Sequence, residues 1–140
     1  MHEHAPDLLI IGAGVAGLSC ARAAVATGLR VVLVDKGRGP GGRASTRRVE
    51  TPRGTLSFDH GAQFFTVRDS AFAAVLAPLR AAGQVAAWDG RIAHDGVLEP
   101  PGAAQRLVGV PGMNALVRGL ADGLTVIWGA EVTALRRADR

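Results

Sequence analysis

The stretch from Asp7 to Arg43, DLLIIGAGVAGLSCARAAVATGLRVVLVDKGRGPGGR, leaves this chain few folds to choose from. The apolar run at residues 8–11 leads directly into Gly12, Gly14 and Gly17. A short, continuous apolar run ended by glycine reads as a strand buried on both faces. Residues 15–27 then carry Val15, Leu18, Ala21 and Val25 at helical spacing, and Gly28 suits the stop. Residues 30–34, RVVLV, read as a second strand rich in β-branched side chains. Strand, helix and strand within about 30 residues specify a right-handed βαβ unit with parallel strands.

Gly12-x-Gly14-x-x-Gly17 is a weak signal by itself in a chain with 19 glycines. Its setting strengthens it: it follows a strand, opens a helix, and is answered by Asp35 at the end of the second strand. That arrangement is the dinucleotide fingerprint. Gly12 permits the tight turn, Gly14 lets a pyrophosphate approach the backbone, and Gly17 lets the helix lie close on the strand. Ala13, Val15 and Ala16 complete the loop whose amides would face the phosphates. The helix dipole contributes about 0.3–1 kcal/mol to a bound anion. Each N–H bond to a charged phosphate contributes about 1.5–3 kcal/mol, so the amides dominate. Asp35 would accept from ribose hydroxyls and repel a 2′-phosphate, with Lys36 beside it. The alternative is a βαβ unit that uses its glycines for close packing and holds no ligand.

Charge supports an anion in this region. Of the 16 basic residues, 15 are arginine, and six (Lys36, Arg38, Arg43, Arg47, Arg48, Arg53) lie within residues 36–53 against one acid, Glu50. Such a cluster attracts a nucleotide phosphate, an anionic substrate or nucleic acid. The other arginines are scattered singly, as on a solvated surface, which argues against a nucleic-acid stripe. At 140 residues and 48% apolar composition the chain is expected to form one α/β domain. No apolar run approaches the roughly 20 residues of a membrane span. The amino-terminal MHEHAPD has no basic n-region, so no secretory signal is expected. Cys20 stands alone, which excludes an internal disulfide, points to a cytoplasmic location, and in its helical setting predicts a buried small residue.

Further along, residues 36–48 read as loop, punctuated by Gly37, Gly39, Pro40, Gly41 and Gly42. Residues 55–67 read as extended chain interrupted at Gly61. Residues 70–82 are predicted helical, with Asp69 or Ser70 as N-cap, Gly83 as stop, and Pro78 kinking or dividing the helix. QVAAW and RIAH are strand candidates joined by the hairpin dipeptide Asp89-Gly90, with further turns at Asp95-Gly96 and Pro100-Pro101-Gly102. Residues 113–120 suggest a short helix, and LTVIW and EVTALRR two more strands across Gly129.

The fingerprint does not separate FAD from NAD(P). The stretch DKGRGPGGRAS does, because Gly41, Gly42 and Arg43 follow the ribose acid. This resembles the extended nucleotide motif of the flavin-dependent amine oxidase superfamily, in which a Gly-Gly-Arg meets the FAD diphosphate. The chemistry agrees: two glycines allow close backbone approach, and Arg43 offers planar, charge-assisted donors. GPGGRASTRR, FDHGAQFFTVRD, GQVAAW, GVPGMNALVRGLADGL and VIWGAEVTAL together resemble bacterial renalase-like FAD/NAD(P)-dependent oxidoreductases over essentially the whole chain. The resemblance implies an α/β fold with a Rossmann-like, glutathione-reductase-type FAD-binding domain. Residues 1–48 would form the nucleotide core, 49–110 a β-rich insertion toward the substrate side, and 111–140 the return to the core. It also implies that Asp59, Gly61 and Ala62 pass near the flavin and that Val132, on a strand, offers its backbone to the adenine. Asp35 departs from the glutamate common in the superfamily, and the shorter acid would lengthen one ribose contact.

The chemistry so implied is hydride transfer from a small reduced substrate, an amine or a dihydronicotinamide such as NAD(P)H, to flavin. Reoxidation follows, often by oxygen to give peroxide. In such enzymes a substrate domain and a returning carboxy-terminal segment complete the site, so the chain is expected to be the amino-terminal, catalytically incomplete part of a longer enzyme. That missing part is its expected partner, with neither nucleic acid nor membrane. Two rival readings stay open: an NAD(P)-dependent dehydrogenase domain, and a non-catalytic module binding nucleotide or RNA through residues 38–53.

Catalytic residues are not identified by sequence. His60 is a candidate to move a proton near the flavin and Gln63 to bond a flavin carbonyl, although local hydrogen bonding explains either. His2 and His4 read as a frayed terminus and His94 as a turn residue. No Cys/His cluster suggests a metal site. Ser45 and Thr46 lack a nucleophile's setting, Arg47 and Arg48 suit phosphate or solvent, and Trp88 and Trp128 suit packing.

Overall fold

The computed structural model describes residues 5–100 and 105–137. Strand β1 (Leu8–Ile11), helix α1 (Val15–Ala26) and strand β2 (Val31–Asp35) form the expected βαβ unit, with β1 parallel to β2 in the register Leu8↔Val31 to Ile11↔Val34. Helix α1 ends at Thr27, and Gly28 takes a φ of +89° that other residues rarely adopt. The last strand, β10 (Thr125–Trp128), runs parallel along the other edge of β2, giving the order β1-β2-β10. Leu8, Ile10, Val31, Leu33 and Val126 share one sheet face with α1 packed against it; Leu33 is fully buried. The opposite face is uncovered, with Leu9, Ile11 and Ile127 about half exposed. The expectation of a first strand buried on both faces is thus corrected: no described element covers its second face.

Three further β units lie between β2 and β10. Strands β3 (Thr46–Thr51) and β4 (Gly54–Asp59) form an antiparallel hairpin, paired Thr46↔Asp59 at its base and Thr51↔Gly54 at its tip. Chain expected to be loop up to Arg48 therefore becomes strand from Thr46, because pairing with β4 satisfies its backbone. Strand β5 (Phe65–Thr66), helix α2 (Ser70–Ala81) and strand β6 (Val85–Trp88) follow. Asp69 caps α2 by accepting from the Ala71 and Phe72 N–H groups, and the helix continues undivided through Pro78.

The hairpin expected across Asp89-Gly90 does not form. Strand β7 (Ala93–His94) pairs with β8 (Val97–Leu98) across Asp95-Gly96, both at positive φ. Strand β6 pairs with β9 (Arg106–Gly109), which also pairs with β5, in the order β5-β9-β6. Helix α3 (Asn114–Ala121) buries Ala115, Leu116, Val117, Gly119 and Leu120, and packs against both α1 and β9. Asn114, Arg118 and Ala121 make up its less buried face, so the helix is amphipathic with a broad buried side. Residues 131–137, read as a strand, have no strand structure. Cys20 is exposed rather than buried, because α1 buries only a narrow stripe at Leu18 and Ala21. His2 and His4 lie outside the described residues. Among the described residues no helix is long and apolar enough to cross a membrane.

Candidate functional site

The carboxyl ends of β1 and β2 meet the amino end of α1, where ligands bind in open α/β sheets. Gly12 holds a φ of +97° and donates its N–H to the Val34 carbonyl at 2.8 Å. A methyl group on Gly17 would collide with the Gly12 carbonyl oxygen, so α1 rides directly on the loop. Gly14 precedes the helix in an extended conformation and places no side-chain cap on it. A methyl group at Gly14 would meet nothing within 4 Å. The first-turn amides of Val15, Ala16 and Gly17 have no intrahelical acceptor, and the space before them is open. Uncapped amides facing a clear cradle fit a phosphate chemically.

Asp35 is half-buried and turned onto the loop. Its Oδ2 accepts the Ala13 N–H at 2.7 Å and its Oδ1 the Gly37 N–H at 2.7 Å. An ionised carboxylate has about four acceptor directions, so roughly two remain for ligand hydroxyls. Lys36 is exposed next to it. The Ala130 N–H donates to the Asp35 carbonyl at 2.9 Å, which brings the chain leaving β10 alongside. Val132, two residues on, lies near that point but not on a strand, and is 38% exposed.

The second glycine pair is folded against the first. Gly42, at a φ of +57°, would place a methyl group 3.5 Å from the Gly14 Cα. Gly42–Ala44 forms a single 3-10 turn, closed by the Ala44 N–H donating to the Gly41 carbonyl, and Arg43 is exposed on it. The Arg43 carbonyl accepts from the Ala62 N–H at 2.9 Å. Gly61 packs on the same carbonyl so closely that a methyl group would collide. The fold thus brings together the residues 12–17, Asp35, Gly41, Gly42, Arg43, Gly61 and Ala62.

Asp59 belongs to a network that sequence reasoning missed. Its Oδ1 accepts from the Thr46 hydroxyl at 2.5 Å and from the Met113 N–H at 2.9 Å, at the start of α3. Thr46, which lacks a nucleophile's setting, also accepts the Asn114 N–H at 3.2 Å. Neither spacing nor composition signals this contact, which joins residues 68 apart. His60 is exposed, with Nδ1 3.4 Å from the Ser45 hydroxyl, and Gln63 is exposed.

Other polar side chains form a separate cluster. His94 is more than a turn residue: its Nε2 contacts Glu99 Oε1 at 2.9 Å. Glu99 also accepts from Arg106, and hydrogen bonds from His94 and then Arg106 hold its carboxyl below the ordinary range. Arg106 lies 5.1 Å from the Phe64 ring centre, and Phe64 stacks on Trp88 at 5.7 Å, the packing role expected of that tryptophan. A cavity of about 340 Å³ lies at the amino ends of β2 and β10, lined by Val31, Val32 and Thr125 among others, at the opposite end of the sheet from the loops. Among the described residues no three His, Cys, Asp or Glu side chains converge as metal ligands.

Comparison with known proteins agrees with this geometry. The hydroxyneurosporene desaturase of Rhodobacter capsulatus is 46% identical over 71 residues, which is 49% of this chain and 14% of the desaturase. The chain therefore matches only a small part of that protein's length. The NAD(P)-binding Rossmann-like domain family matches residues 10–79, half of the 140-residue chain, and takes in both glycine loops, Asp35 and the β3–β4 hairpin. With its parallel βαβ core and its glycine loop on α1, this chain belongs to the NAD(P)-binding Rossmann-like domain family.

Proposed function

We propose that this chain is the FAD-binding portion of a flavin-dependent oxidoreductase of renalase-like, amine oxidase superfamily type, with a glutathione-reductase-type fold. The observation that carries the reading is the contact of the two glycine loops, Gly42 lying over Gly14 beside the uncapped end of α1. A diphosphate seated there would receive the amides of Gly14, Val15 and Ala16 from one side and the Arg43 guanidinium from the other. Asp35 would take the ribose, and the chain near Val132 would border the adenine. Gly61 and Ala62, fixed to the Arg43 carbonyl, lead toward the reacting end.

Bound FAD supplies hydride acceptance, here from a small amine or dihydronicotinamide, and the protein supplies orientation and electrostatics. His60 is the proton-carrying candidate, held near Ser45, and Gln63 a hydrogen-bonding one. A similarity to a protein named a desaturase supports chemistry that removes hydrogen from substrate. The substrate pocket is proposed to need further protein from the same enzyme, in keeping with the 14% of the desaturase that the match spans.

Binding of NAD(P) as the resident nucleotide is the second reading, favoured by the family to which the chain belongs. Titration of the purified chain with FAD, ADP and NADH decides between them. Tighter binding of FAD than of NADH, with quenched flavin fluorescence, is the expected result. Selective retention of NADH would overturn the flavin assignment. Salt-sensitive RNA binding that survives Gly14→Val would overturn both in favour of an RNA module.

A further inference from the structure

We propose that Asp59 is a positioning residue for the nucleotide site, acting through α3 without touching the ligand. The inference rests on the nucleotide reading of the two glycine loops. It begins at the base of the β3–β4 hairpin, where Thr46 and Asp59 face each other. The two side chains share a hydrogen bond, and between them they accept the Met113 and Asn114 amides. Met113, at the start of α3, offers no side-chain cap of its own. The hairpin base therefore supplies the acceptors that the first amides of this buried helix need. Gly112 closes the joint: a methyl group there would fall 2.7 Å from the Thr46 hydroxyl and 3.3 Å from Asp59 Oδ1.

Both strands leaving this joint run into the Arg43 loop. Thr46 lies three residues after Arg43, and Asp59 three residues before Ala62, whose N–H holds the Arg43 carbonyl. The far end of α3 is tied to α1: Arg22 donates to the Leu120 and Asp122 carbonyls, each at 3.4 Å. Helix α3 thus bridges the helix that presents the first glycine loop and the hairpin that presents the second. Releasing its amino end would let Gly42 and Arg43 drift from Gly14 while leaving each loop locally intact.

The test uses the chain as it stands, three single variants, Asp59→Ala, Asp59→Asn and Thr46→Val, and the double variant Asp59→Ala/Thr46→Val, all titrated with FAD. Amide exchange at Met113 and Asn114 is followed without nucleotide. Asp59→Ala and Thr46→Val are each expected to weaken FAD binding about tenfold and to speed exchange at both amides. The double variant is expected to be little worse than either, because the two side chains act as one joint. Asp59→Asn keeps a carbonyl oxygen that can accept both bonds and is expected to bind within about threefold of the parent. That rescue would not occur if the Asp59 charge itself faced the ligand.

Loss of affinity in Asp59→Asn equal to that in Asp59→Ala, with Thr46→Val binding normally, would overturn the proposal. So would normal affinity in all variants despite faster exchange. If Asp59→Ala fails to fold, Thr46→Val and Asp59→Asn carry the same comparison. A parent chain that binds none of FAD, ADP and NADH overturns the nucleotide reading and this proposal with it. A parent that binds, with variants that ignore the joint, overturns this proposal alone.

Discussion

Replacing Gly14 by valine separates folding from binding. The backbone there is extended, at φ −80° and ψ −176°, a region β-branched residues occupy freely. A Cβ would meet no protein atom within 4 Å, and the expected cost to the folded chain is the helix-start preference for glycine over valine, about 1 kcal/mol. For a domain of this size that is roughly 2–4 °C in Tm. A diphosphate seated as proposed would fare differently, because the isopropyl group would fill the space it needs. Losing two amide–phosphate bonds at about 1.5–3 kcal/mol each removes roughly 3–6 kcal/mol, or two to four decades in Kd. Flavin fluorescence titration and a thermal melt read the two effects independently. Gly17→Ala is the contrasting control: its methyl group strikes the Gly12 carbonyl, so stability falls first, by about 1–3 kcal/mol. A Gly14→Val chain that binds FAD within threefold of the parent would refute the loop as the phosphate site.

Three further outcomes follow from the packing and the charges. Leu33→Ala empties a fully buried site on the central strand and is expected to cost about 2–5 kcal/mol in denaturant unfolding. Gly90→Ala would drive a methyl group into the Trp88 indole and is expected to cost about 1–3 kcal/mol and to alter the near-ultraviolet dichroism of the Trp88–Phe64 stack. Hydrogen bonds from the Arg30 side chain and backbone N–H lower the Asp7 pKa from 3.8 to about 2. A carboxyl whose pKa is depressed on folding stabilises the fold fully above its unfolded value. That contribution is lost as pH falls from about 3.8 through about 2. Asp7→Asn should flatten the acid dependence of stability across this window, and identical acid profiles for the two chains would refute the pairing.

The amino-terminal third was legible because its signals are local. The apolar run before Gly12, the helical spacing from Val15 and the β-branched run before Asp35 each specify their element without help from distant residues. Asp69 as a cap was legible for the same reason. What failed depends on tertiary pairing. Asp89-Gly90 and Asp95-Gly96 carry the same turn chemistry, and only the choice of β9 as the partner of β6 leaves the hairpin to the second pair. RLVG carries no local strand signal that sets it apart, yet two neighbours bond to it. EVTALRR alternates like a strand but has no partner among the described residues. In the site, both glycine loops were found from spacing, whereas the Thr46–Asp59–Met113 joint spans residues that no sequence pattern connects.

Asp35 carries a consequence for selectivity. Because its two oxygens already hold the Ala13 and Gly37 amides, its torsions are set before any sugar arrives. Fixing a free acidic side chain at an interface costs about 0.5–1.5 kcal/mol, and here folding has already met that cost. The same anchoring gives the carboxylate no room to swing away from a bulky or anionic substituent. Discrimination against a phosphorylated ribose would therefore come from rigidity as much as from charge.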